Sequence, residues 1–384
     1  MLSVLAFLSE PYFNNGKAYL SNKASINFIK DCFDEPVICI GRVVKGNLES
    51  PSAVVDTKLF EDIPNYESIV DFAKQCLTSP KFLYLYLRRC ESILDKYPNS
   101  KIWVRNPSIG CLIFSLLALR RKRSIYNHMC ANAFEAWDNP KYRGITRGLA
   151  FIFSRFLKYL TTKVVKNSLT INLCTGDELL RFCEKHNASS HLMIDSTLDY
   201  TLQEQHNFPI DIGQIKFTFI GRIQRDKGIE DLIRVFDDLD EKKFKLDIIG
   251  RGELFDKLSA CNLKGNIKFL GQMDNRDIGK ALLQTNVVVV PSKNKYEGFP
   301  RVILEAWSCG LPVIVSNVGG INAFVEDKIN GLIVKPDDIE DLKNAIVSIS
   351  DPQLYVNLRA GSERMKLITT KQHWVNRFRS ITHD

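Results

Sequence analysis

Short runs of β-branched and aliphatic residues alternate with longer amphipathic stretches along this chain, and that alternation predicts its architecture. Residues 2–8, 36–44, 101–105, 124–128, 170–174 and 191–194 read as buried strands. Helices are expected between them at 17–32, 66–77, 81–97, 107–119 and 142–166, and from Gly176 onward. Residues 45–65, polar and without a period, read as a long loop. A second series places strands at 216–220, 245–249, 267–270, 286–290, 312–315 and 331–334, with helices opening near Lys227, Gly252, Asn275, Pro300 and Asp338. Strand–helix alternation of this kind implies an α/β protein with mostly parallel sheets and right-handed crossovers. The polar stretch 195–213, with Pro209 and Gly213, separates the two series. The domains expected are therefore 1–200 and 214–370, joined by a linker at 201–213, with a terminal helix at 371–384 returning to the first domain.

The pattern is sharpest at 287–315, where a four-valine run, a loop, a helix and another strand follow one another. The run is that of a parallel strand buried on both faces. Pro300 suits a first helical position, so Glu297 falls on the incoming loop and Glu305 within the helix. Between the two carboxylates lie the free amides of a helix start, which with the helix dipole favour an anion. That combination suits a ligand with hydroxyls at both ends and a phosphate in the middle; two solvated glutamates flanking an ordinary turn read equally well from this segment alone. Upstream, Gly221-Arg222 closes one strand and Lys227-Gly228 opens the next helix. A guanidinium fork and an ammonium there can hold a pyrophosphate, though a solvated basic loop has the same composition. Gly250, at the end of the following strand, would let a ligand approach the backbone. The turn is not a dinucleotide fingerprint, since its third glycine would fall on Phe255.

Composition narrows the class. Ten cysteines without a CxxC pair or a Cys/His cluster point to reduced thiols and a cytoplasmic setting, not to disulfides or zinc. The apolar start at 1–8 lacks a basic leader and reads as a first strand. No segment has the length and apolarity of a membrane span. The net charge of +8 is unevenly placed: residues 1–200 carry 26 Lys/Arg against 19 Asp/Glu, and 139–176 contain no acid at all. This basic stretch includes Lys141, Arg143, Arg147, Arg155, Lys158, Lys163 and Lys166, on a helix with Ile145, Leu149, Ile152, Phe153, Phe156, Leu160 and Val164 at helical spacing. The apolar face is expected to pack on its own sheet. The basic face, with Arg88-Arg89 and the knot Arg120-Arg121-Lys122-Arg123, is expected to meet an anionic membrane surface. No nucleic-acid-binding motif accompanies these charges, so nucleic acid is not an expected partner.

Taken in order, GR-x4-KG at 221–228, IGRGE at 249–253, FLG at 269–271, EGFPRVILEAWSCGLPVIVS at 297–316 and NGLIV at 330–334 resemble the donor-binding domain of retaining GT-B glycosyltransferases of family four. The resemblance covers about residues 215–350 and implies a GT-B architecture, two Rossmann-like domains facing a central cleft. It implies that Arg222 and Lys227 grip the diphosphate of a nucleotide-sugar, a UDP- or GDP-sugar. Glu305 would hold the ribose and Glu297 the sugar hydroxyls, with backbone from Gly298, Phe299, Pro300, Arg301 and Val302 around sugar and phosphate. More weakly, Asn15-Gly16 occupies the place of a glycine-rich loop beside the donor, and His128 that of a histidine facing the donor sugar. The family's order would have Gly-x-Pro-Glu where this chain has Gly320-Ile321-Asn322-Ala323. Catalytic roles fall to His128, Glu297, Arg222 and Lys227, without metal or other cofactor, since Asp238-Leu239-Asp240 follows a helix and reads as its solvated end. The implied activity is transfer to a polyprenyl-linked glycan in bacterial surface polysaccharide assembly, by an enzyme on the inner face of the plasma membrane. A catalytically silent binding subunit and a soluble transferase making small glycosides are the competing readings.

Overall fold

The computed structural model describes residues 2–46, 48, 50–139, 142–199, 213–261 and 264–383. The expected linker, apart from Gly213, and Lys141 lie outside the described residues. Two compact units result: Met1–Trp137 with Gly148–Thr197 and Trp374–Asp384, and Asp138–Arg147 with Leu198–His373.

The first unit carries β1 (Val4–Asn14), β2 (Ala18–Ser21), β3 (Val37–Val44), β4 (Ala53–Asp56), β5 (Phe60–Ile63), β6 (Lys101–Asn106), β7 (Ile125–Met129), β8 (Thr170–Cys174) and β9 (Ser190–Leu192). Its helices are α1 (Ser25–Cys32), α2 (Ile69–Thr78), α3 (Pro80–Lys96), α4 (Ile109–Arg120), α5 (Ile145–Val165) and α6 (Asp177–Glu184). Parallel pairing runs β5-β3-β1-β6-β7-β8-β9, so the strand order reverses between β1 and β6. Leu5, Phe7, Ile40, Val104, Leu112 and Phe114 lie in one apolar core, each worth about 1.5–3 kcal/mol when fully buried. Across this core runs a ladder of amides. Asn106 donates to Asn127 (2.7 Å), Asn127 to Asn172 (2.8 Å), and Asn172 to the Ser190 hydroxyl (3.3 Å), one rung per strand from β6 to β9.

Two expectations fail here for local reasons. The predicted helix at 17–32 begins only at Ser25, because the Asn15 side chain accepts from the amides of Lys17 and Ala18 and turns the chain into antiparallel β2. The predicted loop 45–65 contains β4 and β5, four-residue strands too short to show a period. The terminal helix α13 (Lys371–His383) sets Phe378 against Phe33, Trp103 and Tyr126 and pairs Arg379 with Asp34 at 3.1 Å. The long basic helix α5 is turned differently from the prediction. Ser154, Leu157, Thr161, Val164 and Val165 are its buried side, while Ile145, Leu149, Ile152 and Phe156 face outward.

The second unit is a six-stranded parallel sheet of β10 (Ile215–Ile220), β11 (Phe244–Ile249), β12 (Ile267–Gly271), β13 (Val287–Val290), β14 (Val313–Ser316) and β15 (Gly331–Val334), in the order β12-β11-β10-β13-β14-β15. Helices α7 (Ile229–Asp238), α8 (Phe255–Ser259), α9 (Asn275–Leu282), α10 (Arg301–Ser308), α11 (Ile339–Ser348) and α12 (Pro352–Met365) connect or follow the strands. The order reverses between β10 and β13, the place where open α/β sheets bind ligands beyond their strand ends. The loops leaving those two strands carry Arg222, Lys227 and Glu297.

Candidate active site

Three backbone and side-chain ties bind the loops after β10 and β13 together. The Asp226 carbonyl accepts from the Lys293 amide at 2.9 Å, and its buried carboxylate accepts from Asn294 Nδ2 at 3.2 Å and from the Tyr296 hydroxyl at 3.0 Å. Across this junction, Lys227 Nζ meets both oxygens of Glu297, at 2.6 and 2.7 Å. Glu297 also accepts from the Ser292 hydroxyl at 3.4 Å. The pair is only partly sheltered, with Lys227 13% and Glu297 28% exposed at the side chain. Asp226 and Tyr296 were not singled out by sequence reasoning. The signal was present in Asp226, an acid between Arg225 and Lys227 in a stretch otherwise suited to an anion.

Arg222, exposed, lines a cavity of about 590 Å³ with Asn139, Arg143, Arg225, Asp226 and Tyr296. Asn139 and Arg143 come from the excursion that clusters with the second unit, held by Asp138–Lys295 at 3.1 Å and Asn139 Nδ2 to Tyr296 at 3.2 Å. Burial and the Asp226 carboxylate push the Tyr296 hydroxyl up to about 12, so it stays protonated and donates to Asp226.

Pro300 is one position earlier than predicted, capping α10 instead of opening it. The first amides of the helix are therefore those of Arg301 and Val302, which have no partner inside it. Phe299 is buried against Phe324 and Trp307, at 5.2 and 5.9 Å between ring centroids, and anchors the loop; what it can offer a ligand is backbone. The Gly320 amide donates to the Gly298 carbonyl at 3.1 Å, so the turn after β14 supports the same loop. Glu305, one turn into α10, accepts from the Ser308 hydroxyl at its backbone carbonyl (2.7 Å), while its carboxylate makes no hydrogen bond or ion pair among the described residues; burial raises its carboxyl and Arg301 partly offsets the rise.

Four groups of predicted residues have surroundings the sequence did not indicate. Gly250 has φ +132°, and a Cβ there would fall 1.9 Å from the Gly221 carbonyl oxygen. The glycine therefore admits the neighbouring loop. Asn15 and Gly16 form the exposed tip of the β1–β2 hairpin, with the Asn14 and Asn15 side chains spent on the turn's own amides. His128 is 1% exposed, its Nε2 within 3.0 Å of the Thr175 hydroxyl and its ring against Trp103 at 5.6 Å. Burial pushes it down to about 4, with Asp195 opposing and Arg105 adding to the shift, so it is a neutral core histidine. What stands at the β1/β6 reversal instead is Arg105, paired with buried Glu10 at 3.0 Å and Asp195 at 3.4 Å. Finally, most of the cations expected to face a membrane are engaged within the protein. Arg121 pairs with Glu91 and Asp95, Arg123 donates to the carbonyls of Leu94 and Ser100, Arg147 pairs with Asp138, and Arg155 donates to the Phe134 carbonyl. Lys158 lies over the rings of Phe134 and Phe182, and Arg120 and Lys122 are exposed.

Known proteins resemble this chain in sequence and in fold. The family model of glycosyl transferases group 1 matches residues 203–365. The UDP-Gal:alpha-D-GlcNAc-diphosphoundecaprenol alpha-1,3-galactosyltransferase of Escherichia coli is 36% identical over 126 residues, 32% of this chain and 31% of that one. The chain spans little more than a third of the length of the curated relatives it matches, 37% of an uncharacterised glycosyltransferase of Methanocaldococcus jannaschii at 33% identity over 34% of this chain. Among solved structures, sucrose-phosphate synthase from Thermosynechococcus elongatus superposes with a TM-score of 0.68 at 19% identity, over 99% of this chain and 98% of that one. HepE of Anabaena in complex with UDP-glucose gives a TM-score of 0.64 at 15% identity over 100% of both chains. The chain thus has the GT-B fold, and its residues 203–365 match the model of the glycosyl transferases group 1 family.

Proposed function

We propose that this protein is a retaining glycosyltransferase of family four that moves a sugar from a UDP- or GDP-sugar to a lipid-linked glycan. The observation that carries the reading is the Lys227–Glu297 pair astride the β10/β13 reversal, with Arg222 on the same loop. A nucleotide-sugar fits by separating the pair: its diphosphate takes the ammonium, and its sugar hydroxyls take the carboxylate. The Glu305 carboxylate, unpartnered among the described residues, is free to accept from ribose hydroxyls. As the bond between the anomeric carbon and the leaving phosphate breaks, negative charge grows on the diphosphate. Arg222, Lys227 and the Arg301 and Val302 amides neutralise it, the largest kind of catalytic contribution. The acceptor oxygen bonds to the anomeric carbon on the same face, and its proton passes to a phosphate oxygen, which retains configuration. Glu297 in this scheme holds the sugar and does not attack it. Among the described residues no group of His, Cys, Asp and Glu is arranged to hold a metal, and the two cations can carry the diphosphate without one.

A polyprenyl-linked acceptor and a peripheral position on the cytoplasmic membrane face are supported by the basic excess of residues 1–200 and by the diphosphoundecaprenol acceptor in the printed name of the Escherichia coli relative. No helix among the described residues is long and apolar enough to cross a membrane. A thermal-shift screen of UDP-, GDP- and ADP-sugars tests the reading, because a ligand at 100 times its Kd adds about 2.7 kcal/mol of stability. A shift from one donor class that Lys227→Ala and Glu305→Ala both abolish is expected. Sugar transfer undiminished in either variant would refute the site.

A further inference from the structure

Helix α5 presents a second apolar stripe directly opposite its buried side. Ile145, Leu149, Ile152, Phe156 and Tyr159 recur at intervals of four, three, four and three residues, which places them on one face. They are 84, 62, 67, 48 and 56% exposed. A soluble surface carries single exposed apolar residues without consequence, but five large ones in one line mark a docking face. The charges around it indicate what docks. No acidic residue occurs from 139 to 176, and exposed Lys163 and Lys166 stand at the C-terminal end of the stripe, Lys163 4.5 Å over the Tyr159 ring. An apolar line ending in ammonium groups matches the acyl boundary and headgroups of an anionic bilayer, not a second polar protein surface.

We infer that α5 lies in the plane of an anionic lipid surface with Leu149, Ile152, Phe156 and Tyr159 inserted among the acyl chains. Docking thus depends on buried apolar area more than on the arginines, most of which are engaged internally. This reverses the orientation expected from the sequence, in which the basic face would touch the membrane. The inference rests on the lipid-linked acceptor only for the choice of partner.

Sedimentation with phosphatidylglycerol/phosphatidylcholine vesicles tests it on the full chain. The wild type should pellet with these vesicles and retain most of that binding at about 0.5 M NaCl, where exposed charges are screened beyond a few ångströms. Leu149→Ser/Ile152→Ser/Phe156→Ser should lose partitioning by at least about tenfold, while Lys163→Gln/Lys166→Gln should lose less and bind equally at low and high salt. Equal pelleting of the stripe variant and the wild type would overturn the inference, as would binding abolished by salt with the stripe intact. A concentration-dependent dimer that only the stripe variant lacks would assign the face to a second copy instead. The nucleotide-sugar thermal shift, measured on the same variants, stays unchanged if only the docking inference fails and disappears from the wild type if the donor reading fails.

Discussion

Glu297→Gln makes a prediction that separates two roles normally lost together. In the ligand-free protein, Lys227 is held by both Glu297 oxygens at 2.6 and 2.7 Å, so a diphosphate must compete with a carboxylate for the ammonium. At an effective dielectric of about 20, two charges at that distance attract by roughly 6 kcal/mol before desolvation and solvent competition are subtracted. With Glu297 more than a quarter exposed, the net value falls to the range of partly exposed pairs, about 1 kcal/mol. Glutamine keeps the shape and the Ser292 contact but releases the ammonium. The variant should therefore bind the free nucleoside diphosphate about three- to tenfold more tightly than the wild type, while the intact nucleotide-sugar gains nothing because its hydroxyls lose their acceptor. Isothermal titration with UDP, GDP and the corresponding sugars measures both, and transfer should fall at least about a hundredfold if the carboxylate holds the sugar in the transition state. Weaker diphosphate binding by Glu297→Gln would mean that Glu297 orients Lys227 toward the phosphate instead of competing with it. The diphosphate would then not displace the carboxylate from the ammonium.

Gly228→Ala should disturb the site from behind. Gly228 adopts φ +68°, and an added Cβ would sit 1.9 Å from the Pro291 carbonyl oxygen, backbone that cannot step aside; a loss of about 2–4 kcal/mol in urea unfolding of the donor half is expected, with a raised KM for donor. His128 gives a pH signature. Its folded value, about 4, lies below the unfolded value of 6.5, so the unfolded chain takes the proton first. Its contribution is complete above pH 6.5 and is lost as pH falls toward 4, roughly 3 kcal/mol in all. His128→Gln should flatten that part of the urea-midpoint profile, and an unchanged slope would show that other groups set it.

The alternation of strands and helices was legible throughout the second unit because its strands, covered on both faces, are unbroken apolar runs that only a parallel sheet explains. Lys227 and Glu297 could be named as candidates from their positions after such runs. Their direct contact could not, because it depends on a strand order that reverses between β10 and β13, and nothing local to either loop encodes that order. Asp226 escaped notice for the same reason: its partners are 68 to 70 residues away. In the first unit, Asn15-Gly16 showed its turn chemistry plainly, but whether such a turn serves a ligand or a hairpin is settled by the strand that follows. His128 at a strand end looked open, and its enclosure comes from Trp103, in the middle of β6, and Thr175, just past β8. Helix α5 misled most, since periodicity identifies an apolar face without saying whether the protein covers it.

The amide ladder of the first unit solves an alignment problem. Because side chains alternate with a period of two, a slide of β6, β7 or β8 by two residues would leave the same faces inward, and alternation alone does not forbid it. Such a slide would strand several amides in the core, each at a cost of about 1–3 kcal/mol. The rungs at Asn106, Asn127 and Asn172 thus act as a key that only one alignment fits. Arg105 and His128 are immediate neighbours of the first two rungs and are themselves paired across β6 and β7. Proofreading of the sheet and placement of the polar groups at its reversal point are therefore accomplished by the same three asparagines.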